Sequence, residues 1–456
     1  MKKTKLLSIL LILTILLSAS PLISFVSTTD TESTSEQNDQ TGVTQEESEH
    51  KEQASSTLPN LPLPEDKAEQ LKNVLNIEMQ RWLSLEKIVS LHRPNDKITV
   101  LIEFDESVPR GAILKTVSSL DVEVKHIFNF VPIVTVDVPA GKALTLANLP
   151  GVKTVWPNFR LQLYSSPSLT DLKPLQGQEK LMVGPRLLLN ESRSMIGAES
   201  LWDLGYNGSG IVVAVIDSGI DWTHPDLDDM DDDPTTFDPK VIDSVSFVPA
   251  EDPMDYNGHG TACAGIIAGT GAMSGGLFKG ISPGAYLMNV KAFDVTGYAE
   301  FDWIMRALEY ILAMKLRYGV PHIASNSWGG IPFSPDFPMN RLVRACIDAG
   351  IVMVFAAGNS GPNFFTVGSP ANVPEVISVG ATDKFDRLCL FSSRGPTFHF
   401  DIDPYGYIIG HHLTLRTGIT VTAPSGGVVS PRAGGTYTLF SGTSCATPHV
   451  AGVAAL

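Results

Sequence analysis

The chain has 456 residues, 43% of them hydrophobic, and carries a formal net charge of −16. Its length allows two or three domains of roughly 100–200 residues, and its apolar content is sufficient for large buried cores. The acidic charge argues against nucleic acid as a partner, because phosphate backbones attract basic surfaces.

The N-terminus is typical of a secretory signal peptide, which we place at residues 1–26. Lys2, Lys3 and Lys5 form a basic start, residues 6–17 form an apolar stretch, and small residues follow. The apolar stretch is shorter than the roughly 20 residues that a membrane span needs. We therefore predict a secreted, extracellular protein. An uncleaved anchor and attachment to the cell surface stay open as alternatives.

Three segments of different character follow the predicted signal. Residues 27–66 are rich in Ser, Thr, Glu, Asp and Gln, which predicts an acidic, disordered linker because such a segment buries too little apolar surface to fold. Residues 67–91 have apolar residues at helical spacing. Residues 97–157 have the order βαββαβ, the ferredoxin-like pattern of a small α+β domain, and contain no obvious catalytic group. The irregular stretch at 165–195 is predicted to be a linker or a processing region.

The rest of the chain, residues 196–456, has the pattern of an α/β domain. Residues 211–216 form an uninterrupted apolar run, as expected for a strand buried on both faces of a sheet. Similar runs alternate with stretches of helical spacing, which predicts a doubly wound, mostly parallel sheet with helices on both faces. The other runs are residues 286–290, 351–355 and 376–379, and the helical stretches include 301–312 and 342–347.

Four polar residues in glycine-rich surroundings are the candidates for chemistry. Asp217 follows the first buried run, His259 lies between two glycines, Asn359 follows a later run, and Ser444 follows a Gly-Thr pair at a predicted helix start. Taken singly, each has an ordinary structural interpretation as a turn residue, a helix cap or a buried histidine. Together they supply a hydroxyl nucleophile, an imidazole base, a carboxylate to orient the base and an amide donor for an oxyanion.

The order of these residues and the motifs around them resemble the subtilisin-like serine proteases, or subtilases. The resemblance covers residues 196–456 and implies a seven-stranded sheet of subtilisin type. It implies serine endopeptidase activity, with Ser444 as nucleophile, His259 as base, Asp217 as the partner of His259, and Asn359 as oxyanion donor. The matching motifs are Asp217-Ser218-Gly219, His259-Gly260-Thr261, Ser327-Trp328-Gly329, Ala357-Gly358-Asn359 and Gly442-Thr443-Ser444, and Ser392-Ser393-Arg394-Gly395-Pro396 is similar to large secreted pyrolysin-like members.

The resemblance also implies where a protein or peptide substrate binds. The motif Ser327-Trp328-Gly329 would pair with an extended substrate as an added strand. Ala357 and Gly358 would line the pocket for the residue before the scissile bond, and Gly368 would form its floor. These segments contain no charged side chain, which predicts a preference for large apolar or aromatic residues. We expect the protein to act as a monomer.

Calcium, in a structural role, is the one ion that the resemblance suggests, and no cofactor is expected for the chemistry. Asp226 matches a position that ligates calcium in the family, and Asp231 and Asp233 lie in the acidic insertion that follows. Clustered carboxylates suit Ca²⁺, which takes about 6–8 oxygen ligands, and a solvated acidic loop is the alternative. Residues 269–279 replace the usual calcium loop of the family with a glycine-rich stretch that lacks carboxylates. The best-known site of the family is therefore expected to be absent or rebuilt.

The small α+β domain is similar to the inhibitory propeptide of subtilases. Residues 67–164 are therefore predicted to be a propeptide that templates folding and occupies the cleft through its C-terminal tail. Self-cleavage is expected between residues 159 and 194, and the bond Tyr164–Ser165 is favoured because tyrosine suits an apolar pocket. The sequence stops at Leu456 inside the helix that Ser444 should begin, and we expect the natural domain to continue.

A catalytically inactive scaffold or binding protein on the same fold is the competing hypothesis. It is disfavoured because all four catalytic positions are filled. The acid-acting sedolisin relatives would have Glu in place of His259 and Asp in place of Asn359, and neither substitution is present.

The four cysteines are scattered, and no pair has metal-ligand spacing. A secreted chain permits disulfides, but their pairing is not evident from the sequence. We predict small buried hydrophobic residues, with free thiols near the site at two positions. The cysteines are Cys263, Cys346, Cys389 and Cys445.

Overall fold

A computed structural model describes residues 85–164, 171–172, 187–233, 235–330, 337–402, 408–416 and 418–456. The predicted signal peptide, the acidic linker, most of the helical stretch at 67–91 and most of the predicted processing region lie outside the described residues. Within the described ranges, no helix is both long and apolar enough to cross a membrane.

The residues before the α/β domain form a small unit on a four-stranded antiparallel sheet of order β2-β3-β1-β4. The order along the chain is βαββαβ, as the sequence predicts. Both faces of β3 are buried, because one packs on the unit's own helices and the other on the large domain. The elements are α1 (Leu85–Ser90), β1 (Lys97–Phe104), α2 (Arg110–Ser118), β2 (Glu123–Ile127), β3 (Ile133–Pro139), α3 (Ala140–Ala143), a 3₁₀ turn (Leu144–Asn148) and β4 (Val152–Pro157).

Three small antiparallel sheets lie outside the two main sheets, and one of them joins the segment after β4 to the large domain. Their strand orders are β10-β5-β12, β15-β16 and β18-β19-β6. In the first of them, β5 is the middle strand and lies between two strands of the large domain. The strands are β5 (Arg160–Leu163), β6 (Asp171–Leu172), β10 (Tyr298–Glu300), β12 (Trp328–Gly329), β15 (Thr397–Ile402), β16 (Ile408–Arg416), β18 (Val428–Arg432) and β19 (Thr436–Phe440).

The large domain is built on a seven-stranded parallel sheet of order β17-β14-β13-β11-β7-β9-β8, which confirms the predicted fold class. After β7 the chain adds β8 and β9 on one side of that strand. From β11 onwards it adds β13, β14 and β17 on the other side. The order therefore reverses between β7 and β11, and such a point opens a crevice at the carboxyl ends of the strands. The strands are β7 (Val212–Asp217), β8 (Val241–Ser246), β9 (Tyr286–Lys291), β11 (Ile323–Asn326), β13 (Val352–Ala356), β14 (Ile377–Thr382) and β17 (Val421–Pro424).

Helices cover both faces of this sheet. α7 and α8 belong to the apolar core on one face, and α6 and α9 to the core on the other. α6 is buried along its whole length, since its Ala, Gly and Ile side chains allow close packing on the sheet. The helices are α4 (Leu189–Met195), α5 (Ala198–Trp202), α6 (His259–Ala268), α7 (Phe301–Tyr318), α8 (Pro338–Asp348) and α9 (Thr443–Ala455), with a 3₁₀ turn at Ala272–Ser274.

The small unit packs on α7 and α8 through an apolar core edged by charged contacts. Arg341 of α8 donates to Glu103 of β1 at 2.7 Å, and Trp156 Nε1 donates to the same carboxylate at 2.6 Å. Thr135 Oγ1 donates to Asp302 Oδ1 of α7 at 2.5 Å. Burial raises the pKa of the Asp302 carboxyl above its ordinary value. These contacts fix the small unit so that the chain leaving β4 enters the cleft as β5.

Candidate active site

The structure brings Asp217 and His259 together at the carboxyl end of β7. Asp217 is the last residue of β7, and His259 is the first residue of α6. Asp217 Oδ1 lies 2.7 Å from His259 Nδ1, and both side chains are almost completely buried. Phe440 packs edge-on against the imidazole, with ring centroids 5.1 Å apart. A buried carboxylate at this distance holds the ring in one orientation and favours a proton on Nδ1. His259 Nε2 has no hydrogen-bond partner within the described residues and is available as a base.

Ser444 lies in the first turn of α9, where a proline in the next turn changes the hydrogen-bond partner of its carbonyl group. Pro448 has no N–H group, so the carbonyl of Ser444 lacks the usual donor four residues later in the helix. Ser327 Oγ fills this place by donating to that carbonyl at 3.0 Å. The helix that begins beside Ser444 is therefore hydrogen-bonded directly to the segment predicted to bind substrate. Ser444 Oγ lies 2.9 Å from the carbonyl oxygen of Ser327 and 2.7 Å from that of Tyr164.

Asn359 presents its amide N–H group to the same carbonyl of Tyr164. Thr443 donates to Asn359 Oδ1 from both its backbone N–H and its hydroxyl, each at 2.9 Å. Because a backbone N–H can only donate, this contact fixes which end of the amide is the oxygen. Asn359 Nδ2 consequently points away from Thr443 and donates to the Tyr164 carbonyl at 2.8 Å. This is the geometry that an oxyanion donor needs.

The chain's own β5 lies in the cleft as an extended peptide. Leu163 pairs with Trp328, and Gln162 pairs with Gly329 on one side and with Tyr298 on the other, both antiparallel. The Tyr164 N–H continues the pairing to the Ser327 carbonyl at 3.4 Å. Trp328 contributes only its backbone here, since its ring is buried against Phe355 in the core. The motif Ser327-Trp328-Gly329 therefore pairs with β5 as with an added strand. Its binding of substrate stays a prediction.

The side chain of Tyr164 fills a pocket whose walls are glycines. A Cβ at Gly329 would overlap the Tyr164 hydroxyl, and one at Gly368 would lie 2.5 Å from it. A Cβ at Gly358 would lie 3.5 Å from the tyrosine ring. Ala357 is buried beside them, and its carbonyl accepts from the Gly368 N–H at 3.2 Å. Burial raises the pKa of the Tyr164 phenol, so the side chain is a neutral occupant of an uncharged pocket.

Cys263 lies one helical turn after His259, with its Sγ atom 3.9 Å from His259 Nδ1. Burial and then the nearby Asp217 carboxylate raise the pKa of its thiol well above the ordinary value, so it is a neutral neighbour and not a competing thiolate. Asp217, His259 and Cys263 are the one set of three or more potential metal-binding side chains that the described residues gather closely. All four cysteines are free thiols, and three of them are buried.

The three aspartates predicted to bind calcium are not gathered into one such set in the described part of the chain. Asp226 is fully buried, and its two oxygens accept from the Met273 N–H at 3.0 Å and the Tyr437 hydroxyl at 2.8 Å. Asp231 and Asp233 are exposed and accept from donors of their own loop. These arrangements do not fit a shared ion, because Asp226 is engaged in fixing the loop at Met273. The calcium site stays a prediction that the geometry does not favour.

Sequence reasoning missed a second group of buried polar residues behind Asp217 and His259. Asp255 and Lys291 are buried charged residues that touch the loops carrying the two candidate catalytic residues. A signal was available, because Asp255 lies four residues before His259 and Lys291 ends an apolar run that flanks β7. A charged side chain at the end of a buried strand indicates a nearby partner, because burying an unpaired charge is unfavourable.

Comparison of the sequence with known proteins assigns the chain to one family. Residues 208–456 match the sequence model of the subtilase family. Subtilisin E of Bacillus subtilis strain 168 is 37% identical over 267 residues, which cover 58% of this chain and 59% of that protein. The subtilisin of Bacillus pumilus is 36% identical over 267 residues, covering 58% of this chain and 82% of the relative. A thermophilic serine proteinase of Bacillus sp. strain AK1 is 32% identical over 365 residues, covering 78% and 77%.

The chain belongs to the subtilase family. It spans 59% of the length of several of the matching subtilisins, among them subtilisin E and subtilisin J of Geobacillus stearothermophilus. The resemblance to pyrolysin-like members and to the subtilase propeptide rests on sequence motifs and stays a prediction.

Proposed function

We propose that this protein is a secreted serine endopeptidase, made as a precursor that cleaves itself after Tyr164. The observation that carries the proposal is the placement of the Tyr164 carbonyl. Its oxygen lies 2.8 Å from Asn359 Nδ2 and 2.7 Å from Ser444 Oγ, while β5 is held between two strands of the cleft. A peptide carbonyl beside a nucleophile and an amide donor is the ground state of acyl transfer.

The proposed reaction uses the four candidate residues in their separate roles. Ser444 Oγ attacks the carbonyl carbon of the substrate after turning from the Ser327 carbonyl towards His259. His259 Nε2 accepts the hydroxyl proton and then gives it to the leaving amine, while Asp217 stabilises the imidazolium. Asn359 Nδ2 stabilises the oxyanion, together with the N–H group of Ser444. Water then attacks the acyl-enzyme, with His259 as base again, and releases the new carboxylate.

The small unit of residues 85–157, with β5 as its tail, is proposed to be the inhibitory part of the precursor. Two contacts support this role. The small unit packs on α7 and α8, and β5 pairs with β12 where an extended substrate would pair. After cleavage, the Tyr164 side chain would remain in the pocket, and its new C-terminal carboxylate would lie beside Ser444. The small unit would therefore inhibit the enzyme until it dissociates or is degraded. The same site would act on protein or peptide substrates that place a large apolar or aromatic residue in this pocket.

A serine-reactive fluorophosphonate tests the proposed chemistry directly. We expect it to label the processed protein on Ser444, as located by mass spectrometry, and to label the Ser444→Ala protein not at all. Labelling should be slower while the small unit is still bound, because β5 covers the nucleophile. Equal labelling of the two proteins would contradict the proposal, and a processed protein that resists the probe would favour the inactive scaffold.

The pocket predicts how the precursor responds to changes at Tyr164. Tyr164→Phe should be processed at nearly the normal rate, since it loses only a 3.5 Å contact between the hydroxyl and the Gly330 carbonyl. Tyr164→Glu should be processed at least about 100-fold more slowly, because it buries a carboxylate in an uncharged pocket at a cost of several kcal/mol. Time courses by gel and intact mass measure both rates. Cleavage of the Glu variant at the same bond and the normal rate would rule out this pocket assignment.

A further inference from the structure

We propose that Asp255 and Lys291 are positioning residues that set the geometry between Asp217 and His259. We call this pair the clamp. The proposal deepens the proposed serine endopeptidase function and rests on it for its kinetic part. It concerns buried polar groups that take no part in the reaction steps given above.

The carboxylate of Asp255 replaces a missing cap at the start of α6. The N-cap residue of α6 is Gly258, which has no side chain to accept from the first N–H groups of the helix. Asp255 Oδ1 accepts instead from the Asn257 and Gly258 N–H groups at 2.9 and 2.8 Å. Asp255 Oδ2 accepts from the N–H and the hydroxyl of Thr261 at 2.9 and 2.7 Å. The position of His259 at the start of the helix therefore depends on Asp255.

The same carboxylate reaches the residue that follows Asp217. Ser218 Oγ donates to Asp255 Oδ1 at 3.0 Å and accepts from the Gly260 N–H at 3.0 Å. A single buried carboxylate thus connects the backbone after Asp217 with the backbone on both sides of His259. Moving Asp255 would shift both partners of the Asp217–His259 hydrogen bond relative to each other.

Lys291 joins the same two loops through their carbonyl groups. Its Nζ atom donates to the Ser218 carbonyl at 2.7 Å and to the Met254 carbonyl at 3.0 Å, directly before Asp255. The ammonium group is fully buried and is paired with Glu251 at 3.0 Å, which offsets the cost of burying its charge. The loop after Asp217 and the loop before His259 are therefore each bound by the Asp255 carboxylate and by the Lys291 ammonium group.

Glycines let the two loops approach closely enough for this arrangement. A Cβ at Gly219 would lie 2.6 Å from the Pro253 carbonyl oxygen, and one at Gly260 would overlap the Gly219 carbonyl oxygen. The loops are thus in direct backbone contact at these glycines, and the clamp connects them where they meet. A displacement of about 1 Å in such a site can reduce the rate on the order of 100-fold.

The test compares Asp255→Asn with wild type in the full chain. The amide keeps the shape of the side chain but replaces one acceptor with a donor that faces the Thr261 N–H. We expect kcat on a tyrosine-containing peptide to fall on the order of 100-fold with KM changed less than about threefold, because the clamp's hydrogen bonds in the described residues do not reach the predicted substrate-binding residues. The rate of self-cleavage should fall by a similar factor. Asp252→Asn, on the same loop but exposed, is the matched control and should leave both rates unchanged.

A second measurement does not depend on activity. In the Ser444→Ala background, proton NMR of the full chain detects the strongly hydrogen-bonded Nδ1 proton of His259. We expect Asp255→Asn to broaden or shift this resonance, and Asp252→Asn to leave it in place. A lower melting temperature with an unchanged resonance and unchanged kcat would overturn the proposal, because it would show a structural role only. This spectrum remains informative even if the wild-type protein cleaves no peptide.

Ser218→Ala keeps the proposal testable if Asp255→Asn does not fold. It removes only the hydroxyl that joins Asp255 to Gly260, and should lower kcat about tenfold while shifting the same resonance in the Ser444→Ala background. An unaltered resonance and an unaltered kcat in a folded Ser218→Ala protein would overturn the proposal.

Discussion

Ser444→Ala is expected to leave the precursor uncut, whereas the wild-type protein should acquire a new N-terminus at Ser165. The substitution removes the hydroxyl that lies 2.7 Å from the Tyr164 carbonyl oxygen, which we propose to be the nucleophile, and should leave the packing of the small unit intact. Loss of the nucleophile in subtilisin lowers kcat roughly 10⁶-fold, and we expect a loss of this order here. N-terminal sequencing and intact mass of the purified protein measure the outcome.

Ser441→Ala is the matched control for this experiment, because it changes a serine of the same segment and leaves Ser444, His259 and Asp217 in place. It should be processed at the normal bond. Processing of the Ser444→Ala chain at Ser165 with the wild-type rate would assign the cleavage to another protease. It would also remove the main support for self-processing, although the fluorophosphonate test of the mature site would still stand.

Much of the fold could be predicted because the strands of a buried parallel sheet leave a strong pattern. The run that ends at Asp217 is apolar on both faces, and the structure places it as β7, an inner strand beside the middle strand β11. The candidate catalytic residues could be predicted for a related reason, since residues that follow such runs meet at one edge of the sheet. Asp217 and Asn359 both follow central strands, so local sequence was sufficient to locate them.

The contacts that tune the site were not predictable in this way, because they join residues far apart in sequence. Nothing near Pro448 indicates that Ser327 would donate to the carbonyl left free by the proline. The partners of Asp226 were not predictable for the same reason, since Met273 and Tyr437 come from other parts of the chain. The position of Tyr164 depends on pairing near β12, which follows α7 in the sequence. From the sequence, only the aromatic side chain of Tyr164 indicated that it would suit the predicted apolar pocket.

Asn359→Leu should lower kcat by a factor of about 10²–10³ while changing KM little. The leucine side chain is close in size to asparagine but cannot donate to the carbonyl, which gains charge only in the transition state. Removal of one oxyanion donor in subtilisin costs roughly 2.7–4 kcal/mol, and we expect the same range because we propose the same role for Asn359 Nδ2. Steady-state kinetics on a peptide anilide ending in tyrosine separates the two constants.

Thr443→Val is the informative companion to this variant. It removes the hydroxyl that donates to Asn359 Oδ1 but keeps the backbone N–H that fixes the same oxygen. The amide should therefore stay oriented but become less rigid, and kcat should fall by about tenfold or less. If Asn359→Leu raised KM and left kcat unchanged, the amide would be a binding group for the ground state. The placement of the Tyr164 carbonyl would then mark where substrate rests, and the stabilisation of the oxyanion would have to come from the start of α9.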